Sequence, residues 1–323
     1  MTLTVLGIDI SKKKFHAALM RENGKTKPKV FSNDLEGFND LLKWLSRHHV
    51  TRIHACMEAT SIYGEALAEF LYEAGHLVSV VNPARIKGFS KGELLRTKTD
   101  KVDAALIARF CAAIKPPAWV PLPPELKQLQ ALLRRLESLM EIQQQEKNRL
   151  STSTGAIAQS IESHLEYLDE AIAQTKQLID EHFDDHPHLK TQRDLLTTIP
   201  GIGSQSAAVL LGEMGNVQAY QNARQLAAHA GLTPVERSSG SSVHGKPRLS
   251  RMGNARLRNA LYWPAIVAMK HNPLLKVFSD RLLKRGKAKM QVIGAVMRKL
   301  LHQVFGILKS QKPFDPNFLS TTP

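Results

Sequence analysis

Four acidic residues stand where carboxylates rarely serve packing. Asp9 and Glu58 lie at the ends of two apolar runs, and Asp100 and Asp103 stand three residues apart on one face of a helical pattern. An unpaired buried carboxylate costs several kcal/mol, whereas Mg²⁺ takes clustered carboxylate oxygens as ligands. Singly, each acid has a plainer explanation as a helix cap, a turn or a solvated side chain. Together they predict a site for one or two Mg²⁺ ions, of the kind used in phosphodiester chemistry.

A serine-rich basic segment, residues 237–248, is the second candidate, and its composition is typical of a loop. In one interpretation this loop only touches backbone phosphates. In the other, a serine acts as a nucleophile, which needs activation by a base or metal and cations to stabilise a pentavalent phosphate. Composition leaves the choice open among four serines: Ser238, Ser239, Ser241 and Ser242. The cations available in the segment are Arg237, His244, Lys246 and Arg248.

A glycine-containing turn at residues 197–203 separates two helical patterns. It predicts a helix-hairpin-helix in which backbone N–H groups near Gly201 and Gly203 hold a DNA phosphate. A plain interhelical turn is the alternative, and the helix preceding the glycines argues against a dinucleotide site. The side chains predicted to contact nucleic acid are Arg237, Lys246, Arg248, Arg251, Arg256 and Arg258.

The elements that must position the four acids belong to an α/β domain over residues 1–118. A three-strand meander is followed by helices and strands in alternation, which predicts a mixed sheet covered by helices. The predicted strands are 5–10, 14–20, 30–31, 53–57 and 77–81. The predicted helices begin at residue 35, span 63–74 and span 99–113, with Asn33 or Asp34 as the cap of the first.

Five prolines within residues 116–124 mark a stiff linker. Leucines then recur at 3-4 spacing, which predicts a coiled coil over residues 119–190 with a turn at 151–155. The predicted seam residues are Leu126, Leu129, Leu133, Leu136 and Met140, then Ile161, Leu165, Leu168, Ile172 and Ile179. Residues 191–323 are predicted to be mainly helical.

The charge of the chain is concentrated at one end. The whole sequence has 44 Lys and Arg against 29 Asp and Glu, for a net charge of +15. Residues 201–323 hold 18 basic and 4 acidic side chains, whereas residues 1–200 hold 26 and 25. Such a basic region attracts phosphates and predicts a polyanion partner. With 43% hydrophobic residues, no membrane-length apolar run and no visible secretory signal, disordered, membrane-spanning and secreted classes are disfavoured.

The two cysteines of the chain, Cys56 and Cys111, both lie in apolar segments. This predicts buried, reduced thiols in a cytoplasmic protein.

The order and spacing of several short motifs resemble transposases of insertion-sequence family 110 and the related Piv-type DNA invertases, over nearly the whole length. The motifs are Gly7-Ile-Asp-Ile-Ser11, Glu58-Ala-Thr60, Val80-Val-Asn-Pro83, Lys98-Thr-Asp-Lys-Val-Asp-Ala104, Ile199-Pro-Gly-Ile-Gly203, Ala230-Gly-Leu-Thr-Pro234 and Ser239-Gly-Ser-Ser242. The resemblance implies an RNase H/RuvC-like domain, a coiled coil and a C-terminal transposase domain.

The same resemblance implies roles for individual residues. Asp9, Glu58, Asp100 and Asp103 correspond to the family's Asp-Glu-Asp-Asp metal site, and Ser239 corresponds to its catalytic serine. It further implies dependence on Mg²⁺, double-stranded donor and target DNA, a circular intermediate and a structured bridge RNA. A homo-oligomer, dimer or tetramer, and a nucleoid-associated prokaryotic location are expected. Composition alone does not distinguish RNA from DNA as the partner of the basic region.

Two other functions remain as alternatives. One is a RuvC-like metal-dependent nuclease or junction resolvase in which water attacks the phosphate. The other is a non-enzymatic protein that bridges two DNA duplexes through its coiled coil, and the four acids make it the weakest of the three.

Overall fold

The computed structural model describes residues 3–59, 62–92, 100–239 and 243–317, apart from the side chains of residues 62, 100, 101 and 236–247. Residues 1–121 and 122–323 form two compact units. Within the described residues, no helix is both long enough and apolar enough to cross a membrane.

The first unit is built on a five-stranded mixed sheet in the order β3-β2-β1-β4-β5. β1 pairs with β2 in antiparallel fashion and with β4 in parallel, and β5 continues the parallel half. The strands are β1 Thr4–Ile10, β2 Lys14–Met20, β3 Thr26–Ser32, β4 Ile53–Glu58 and β5 Leu77–Val81. This confirms the predicted three-strand meander and mixed sheet.

Four α-helices accompany this sheet: α1 Leu35–Ser46, α2 Glu65–Glu73, α3 Pro83–Gly92 and α4 Asp100–Ile114. Asp34 caps α1 as predicted, since its carboxylate accepts a hydrogen bond from the Gly37 amide. α3 is not among the predicted helices, because Asn82-Pro83 directly after an apolar run is typical of a strand end. The Asn82 side chain accepts from the Ala84 amide at 2.9 Å, so the same dipeptide starts a helix.

The sheet has two differently covered faces. One face packs on α1 and α2 around a core that includes Leu6, Ile8 and Met57. The other face is crossed by α4, which contacts β1, β2 and β4. α4 comes so close that a Cβ on Gly7 would overlap the Ala104 carbonyl oxygen and the Ala108 amide nitrogen. The absence of a side chain at Gly7 therefore allows α4 to pack directly against the backbone of β1.

The second unit begins with two long helices, α5 Pro124–Leu150 and α6 Gly155–Asp185, which pack along each other. The predicted seam is confirmed through Leu136, but Leu139 is then buried while Met140 is 42% exposed. α5 packs against α8 as well as α6, so its buried face is wider than a single seven-residue seam.

The rest of the second unit is mainly helical and shares one apolar core with α5 and α6. Its helices are α7 Pro187–Thr197, α8 Ser204–Met214, α9 Ala223–His229, α10 Ala255–Ala260, α11 Tyr262–His271, α12 Pro273–Lys284 and α13 Lys289–Ser310. A two-stranded antiparallel hairpin, β6 Pro234–Ser239 and β7 Val243–Leu249, interrupts them.

Candidate active site

Asp9 and Glu58 lie at the same edge of the first unit's sheet. Asp9 is the next-to-last residue of β1, and Glu58 is the last residue of β4. These strands are parallel, and the register that pairs Ile8 with Met57 places Asp9 beside Glu58. Neighbouring strands are about 4.8 Å apart, so the two carboxylates start from adjacent backbone positions.

The two carboxylates also share a face of the sheet. Ile8 and Met57 are buried in the core on the α1 and α2 face. Because side chains alternate along a strand, Asp9 and Glu58 point to the opposite face, which α4 covers. Both are partly buried, and each makes polar or electrostatic contacts within the protein.

The direction of α4 brings the remaining acids to this edge. Ala104 and Ala108 lie over Gly7, whereas Lys115, just after the end of α4, lines one cavity with Thr4 at the start of β1. The helix therefore runs against β1 and begins above the strand ends. Asp103 is partly buried one turn before the buried Ile107, and Asp100 is the first helical residue. The positive end of the helix dipole also favours carboxylates here.

This arrangement fits a hard divalent cation by its donor set, which consists of carboxylate oxygens at one strand edge. Three of the predicted ligands have described side chains, whereas that of Asp100 lies outside the description. Among the described side chains, no group of three His, Cys, Asp or Glu residues is close enough to hold a metal ion. The backbone thus brings the acids to one edge, and the fourth ligand and the cation belong to the proposal below.

The sequence interpretation missed one residue at this edge. His16 lies directly opposite Asp9 in the antiparallel β1–β2 register. Ala18, two residues further along β2, packs against Ala104 and Ala108 of α4, so His16 faces the same side as Asp9. The register that pairs them is set by the turn between β1 and β2, where the Ser11 amide donates to the Lys14 carbonyl oxygen, and residue type alone does not reveal it.

Ser239 occupies a strand end in the second unit. The prediction of a loop over residues 237–248 is wrong, because most of this segment forms β6 and β7. Ser239 ends β6 opposite Val243, and residues 240–242 lie outside the described part. The cross-strand pairing offsets the weak strand preference of serine and glycine, with an irregular register between Val235 and Arg237.

Comparison with known proteins accounts for both parts of the chain. A family described as "Transposase", of the DEDD IS110 type, matches residues 6–153, and the "Transposase IS116/IS110/IS902 family" matches residues 193–280. The pilin gene-inverting protein of Moraxella bovis is 35% identical over 318 residues, which cover 98% of each chain. The chain belongs to the IS110 family of transposases.

More distant relatives of this IS110-family transposase include the transposase for insertion sequence element IS1328 of Yersinia enterocolitica. It is 25% identical over 83% of this chain and 84% of its own. Among solved structures, a RuvC structure from Thermus thermophilus matches 36% of this chain and 99% of its own, at 16% identity and a TM-score of 0.27. Transposase or DNA-invertase activity on DNA follows from the family.

The predicted nucleic-acid contacts of the transposase differ in how they are engaged. Arg248 is exposed at the end of β7, and Arg251 is exposed with a left-handed backbone. Arg256 forms an exposed ion pair with Glu137 on α5, at 3.3 Å. Arg258 donates to the carbonyl oxygens of Ala230 and Arg251, which gives it a folding role. The side chains of Arg237 and Lys246 lie outside the description.

The turn between α7 and α8 contains both predicted glycines. Gly201 has a φ of +111°, and a Cβ there would lie 2.8 Å from the Pro264 carbonyl oxygen of α11. Gly201 therefore serves the packing of this turn against α11. Gly203 is exposed at the start of α8, with open space around its Cα, and remains a predicted phosphate contact.

The predicted state of the cysteines is confirmed within the described structure. Cys56 and Cys111 are free and fully buried, on β4 and α4. The hydrogen bond with Cys111, together with burial, raises the pKa of the Cys56 thiol.

Proposed function

We propose that the chain is a Mg²⁺-dependent DNA recombinase in which Ser239 is the nucleophile and Asp9, Glu58, Asp100 and Asp103 hold the metal. One observation carries the proposal. The β1–β4 register puts two acids side by side, under the start of the helix that bears the other two. Structural acids have no reason to gather at one strand edge, where their mutual repulsion is unfavourable without a cation.

The proposed reaction is a pair of phosphoryl transfers. The Ser239 oxygen attacks a backbone phosphorus and loses its proton, and the bond from phosphorus to the 3′-oxygen breaks. The products are a serine phosphodiester and a free 3′-hydroxyl, and attack by the 3′-hydroxyl of another strand reverses the step. No phosphodiester energy is lost, so rejoining needs no added cofactor.

The chain's own residues would orient this reaction. Arg237, Lys246 and Arg248 lie on the hairpin strands that carry Ser239, and their charges stabilise the phosphate as negative charge develops on it. The acids on β1, β4 and α4 hold Mg²⁺, which supplies charge neutralisation and activation of an oxygen nucleophile. His16 is placed to exchange protons with a group bound near Asp9.

The decisive experiment is covalent trapping on a plasmid that carries the element's own ends. Wild-type protein, quenched with denaturant, should retain DNA attached through a phosphoserine in a peptide containing residue 239. Ser239→Ala should lose the adduct and strand exchange, whereas Ser238→Ala, a change of the neighbouring serine, should keep both. Cleavage without any adduct would instead support a nuclease that uses water.

We also propose that the partners are double-stranded donor and target DNA and a structured guide RNA. The support for DNA is the family, and the support for RNA is the resemblance of the motifs. RNA should co-purify with the full chain, and a transcript pairing with both DNA junctions should restore strand exchange to RNA-free protein. Full exchange without RNA would contradict guidance.

A homo-oligomer is the third proposed partner. Ile157 and Tyr167 on α6 are 67% and 61% exposed, and we propose that a second copy of the chain covers them. A mass of two or four chains in light scattering should fall towards one chain in Ile157→Lys/Tyr167→Lys. Leu35→Lys, a 66% exposed apolar residue in the first unit, is the matched control.

A further inference from the structure

A second candidate site lies at the end of the sheet opposite the carboxylates. A cavity of about 1120 Å³ opens where β1 begins, β2 ends and α4 ends. Thr4 at the start of β1 lines it, whereas Asp9 stands near the other end of the same strand. The cavity is therefore separate from the proposed metal site.

The lining of this cavity is strongly basic. Its ionisable basic residues are Arg21, Lys27, His48, His49, His54 and Lys115, and the one acidic residue among the described lining is Glu22. Burial lowers the pKa of His48, and the charges of Lys27 and Arg21 lower it further. Those two cations therefore act on the same space, which favours an anionic ligand.

Two of the basic residues are held by an uncommon backbone conformation. His49 has a φ of 57° and Lys115 a φ of 48°, each just after a helix end, of α1 and α4 respectively. Glycine or asparagine adopts this left-handed conformation with less strain. The helix dipole favours a cation at each helix C-terminus, but it does not explain why His49 and Lys115 line the same cavity.

The remaining wall is apolar and its floor is fixed. Partly buried side chains from β1, β2, β5 and the loop after α1 form this wall: Val5, Met20, Leu77 and Val50. His54 lines the cavity and is fixed by the buried Ser79. The Ser79 hydroxyl uses its one hydrogen to donate to the Pro117 carbonyl oxygen, and it therefore accepts a hydrogen bond from the His54 Nε2–H at 2.8 Å. A phosphate ion alone is far smaller than this cavity. A phosphate joined to a flat ring matches both parts of the lining, because the phosphate suits the basic residues and the face of the ring suits the apolar wall.

We propose that this cavity binds an unpaired nucleotide of a nucleic-acid strand. The backbone phosphate lies at Arg21, Lys27 and Lys115, and the base lies against the apolar wall beside His48 and His49. The inference rests on the proposed function only in that the enzyme handles nucleic-acid strands, and not on Ser239 or the metal. DNA and RNA strands share the recognised chemistry, so the experiment contains an arm for each.

The test is photocrosslinking of the full chain to 12-residue oligonucleotides that carry one 5-iodouracil, as DNA or as RNA, followed by peptide mapping. Crosslinks are expected in the peptides that contain Met20 or His48–His49, from at least one of the two strands. The variant Arg21→Gln/Lys27→Gln should lower the yield in these peptides at least fivefold. Lys43→Gln, an exposed cation of α1 outside the cavity, should leave it within twofold.

Three results would overturn the inference. They are crosslinks confined to other peptides, equal yields in Arg21→Gln/Lys27→Gln and wild type, or a yield that only fully paired duplex produces. Displacement by free AMP at the oligonucleotide's own concentration would overturn the assignment to a strand. Asp9→Asn protein should crosslink like wild type, so a failure of the recombination mechanism and a failure of this site are distinguishable.

Discussion

The strand edge that carries the acids and the hairpin that carries Ser239 are built in opposite ways. Asp9 and Glu58 belong to the two strands at the centre of a five-stranded sheet, and the residues before them, Ile8 and Met57, are almost completely buried. Ser239 ends one of only two strands, and Val235 on the same strand is 42% exposed. An isolated pair of strands is marginally stable in water.

This difference teaches where each half of the proposed chemistry gets its geometry. The acids are positioned by sheet register and helix packing, before any substrate binds. The serine ends one strand of a two-stranded hairpin, and an isolated hairpin has little stability of its own, so its final geometry depends on what binds there. Changes in packing should therefore disable the acid edge, whereas the hairpin should be sensitive mainly to changes in its polar side chains.

The largest expected effect is the loss of one acid. Asp9→Asn keeps the size of the side chain but removes a charged ligand, so strand exchange should fall by about 10³-fold or more. DNA binding and thermal stability should change little. Asp34→Asn is the matched control, because asparagine also caps a helix and Asp34 lies on no proposed site. Equal losses in the two variants, measured by strand exchange, would remove the special role of Asp9.

A change in packing alone should come next. In Gly7→Ala the new methyl group meets the backbone of α4 at Ala104 and Ala108, so the helix must lift away from β1. We expect a loss of about 3 kcal/mol in unfolding free energy and a large fall in strand exchange, because Asp103 moves with the helix. Thermal unfolding and strand exchange measure the two effects.

Gly88→Ala serves as the control for that variant. Gly88 lies within α3 and has no neighbour within 4 Å of an added Cβ. Alanine there should raise stability by about 0.5–1 kcal/mol, as expected for a helix interior. A Gly7→Ala protein as active and stable as wild type would show that α4 does not position the acids.

The same contrast explains how far the sequence alone could lead. Four strands of the first unit were predictable because each contains an apolar run, which a buried sheet enforces, whereas β3 contains Lys27, Pro28 and Lys29 and was predicted only at residues 30–31. The hairpin was not predictable, since glycine and serine have low strand preference and its pairing comes from tertiary context. His16 required the register of a hairpin, which turn chemistry fixes but residue type does not reveal.

The sequence does not predict a helix correctly where one motif is compatible with two structures. Asn82-Pro83 closes a strand and also starts α3, and only the hydrogen bond to Ala84 distinguishes the two. In α5 the leucine spacing predicted Met140 in the seam, whereas Leu139 takes that place. The drift of a straight helix is only about 20° per seven residues, so the difference comes from packing: α5 contacts both α6 and α8, which a single seam does not describe.

A smaller effect concerns the pH dependence of the stability of the second unit. Burial, together with the charges of Arg298, Lys299 and Arg224, lowers the pKa of His302 on α13 to about 4. Below the unfolded pKa of about 6.5 the unfolded chain binds a proton that the folded chain refuses, so stability falls between pH 6.5 and pH 4 and then levels off.

Because solvent screens this partly exposed side chain, we expect the free energy of unfolding to fall by about 1 kcal/mol between pH 7 and pH 5, about half of what the full pKa shift would give. His302→Gln should reduce the fall in Tm over that interval by roughly 2–4 °C. His271→Gln, an exposed histidine that ends α11, should not. An unchanged pH dependence in His302→Gln would show that another group governs the acid sensitivity of this core.

The smallest effect separates contact from support within the basic region. Arg248→Gln removes an exposed cation beside the serine hairpin, so DNA affinity should fall about twofold to fivefold and the salt slope by about 0.9, without a change in Tm. Arg258→Gln removes two hydrogen bonds to backbone oxygens and should instead lower stability by about 1 kcal/mol. Fluorescence anisotropy at several salt concentrations and thermal unfolding measure both. A larger salt effect in Arg258→Gln than in Arg248→Gln would contradict this assignment, because it would show that Arg258 is the arginine that contacts nucleic acid.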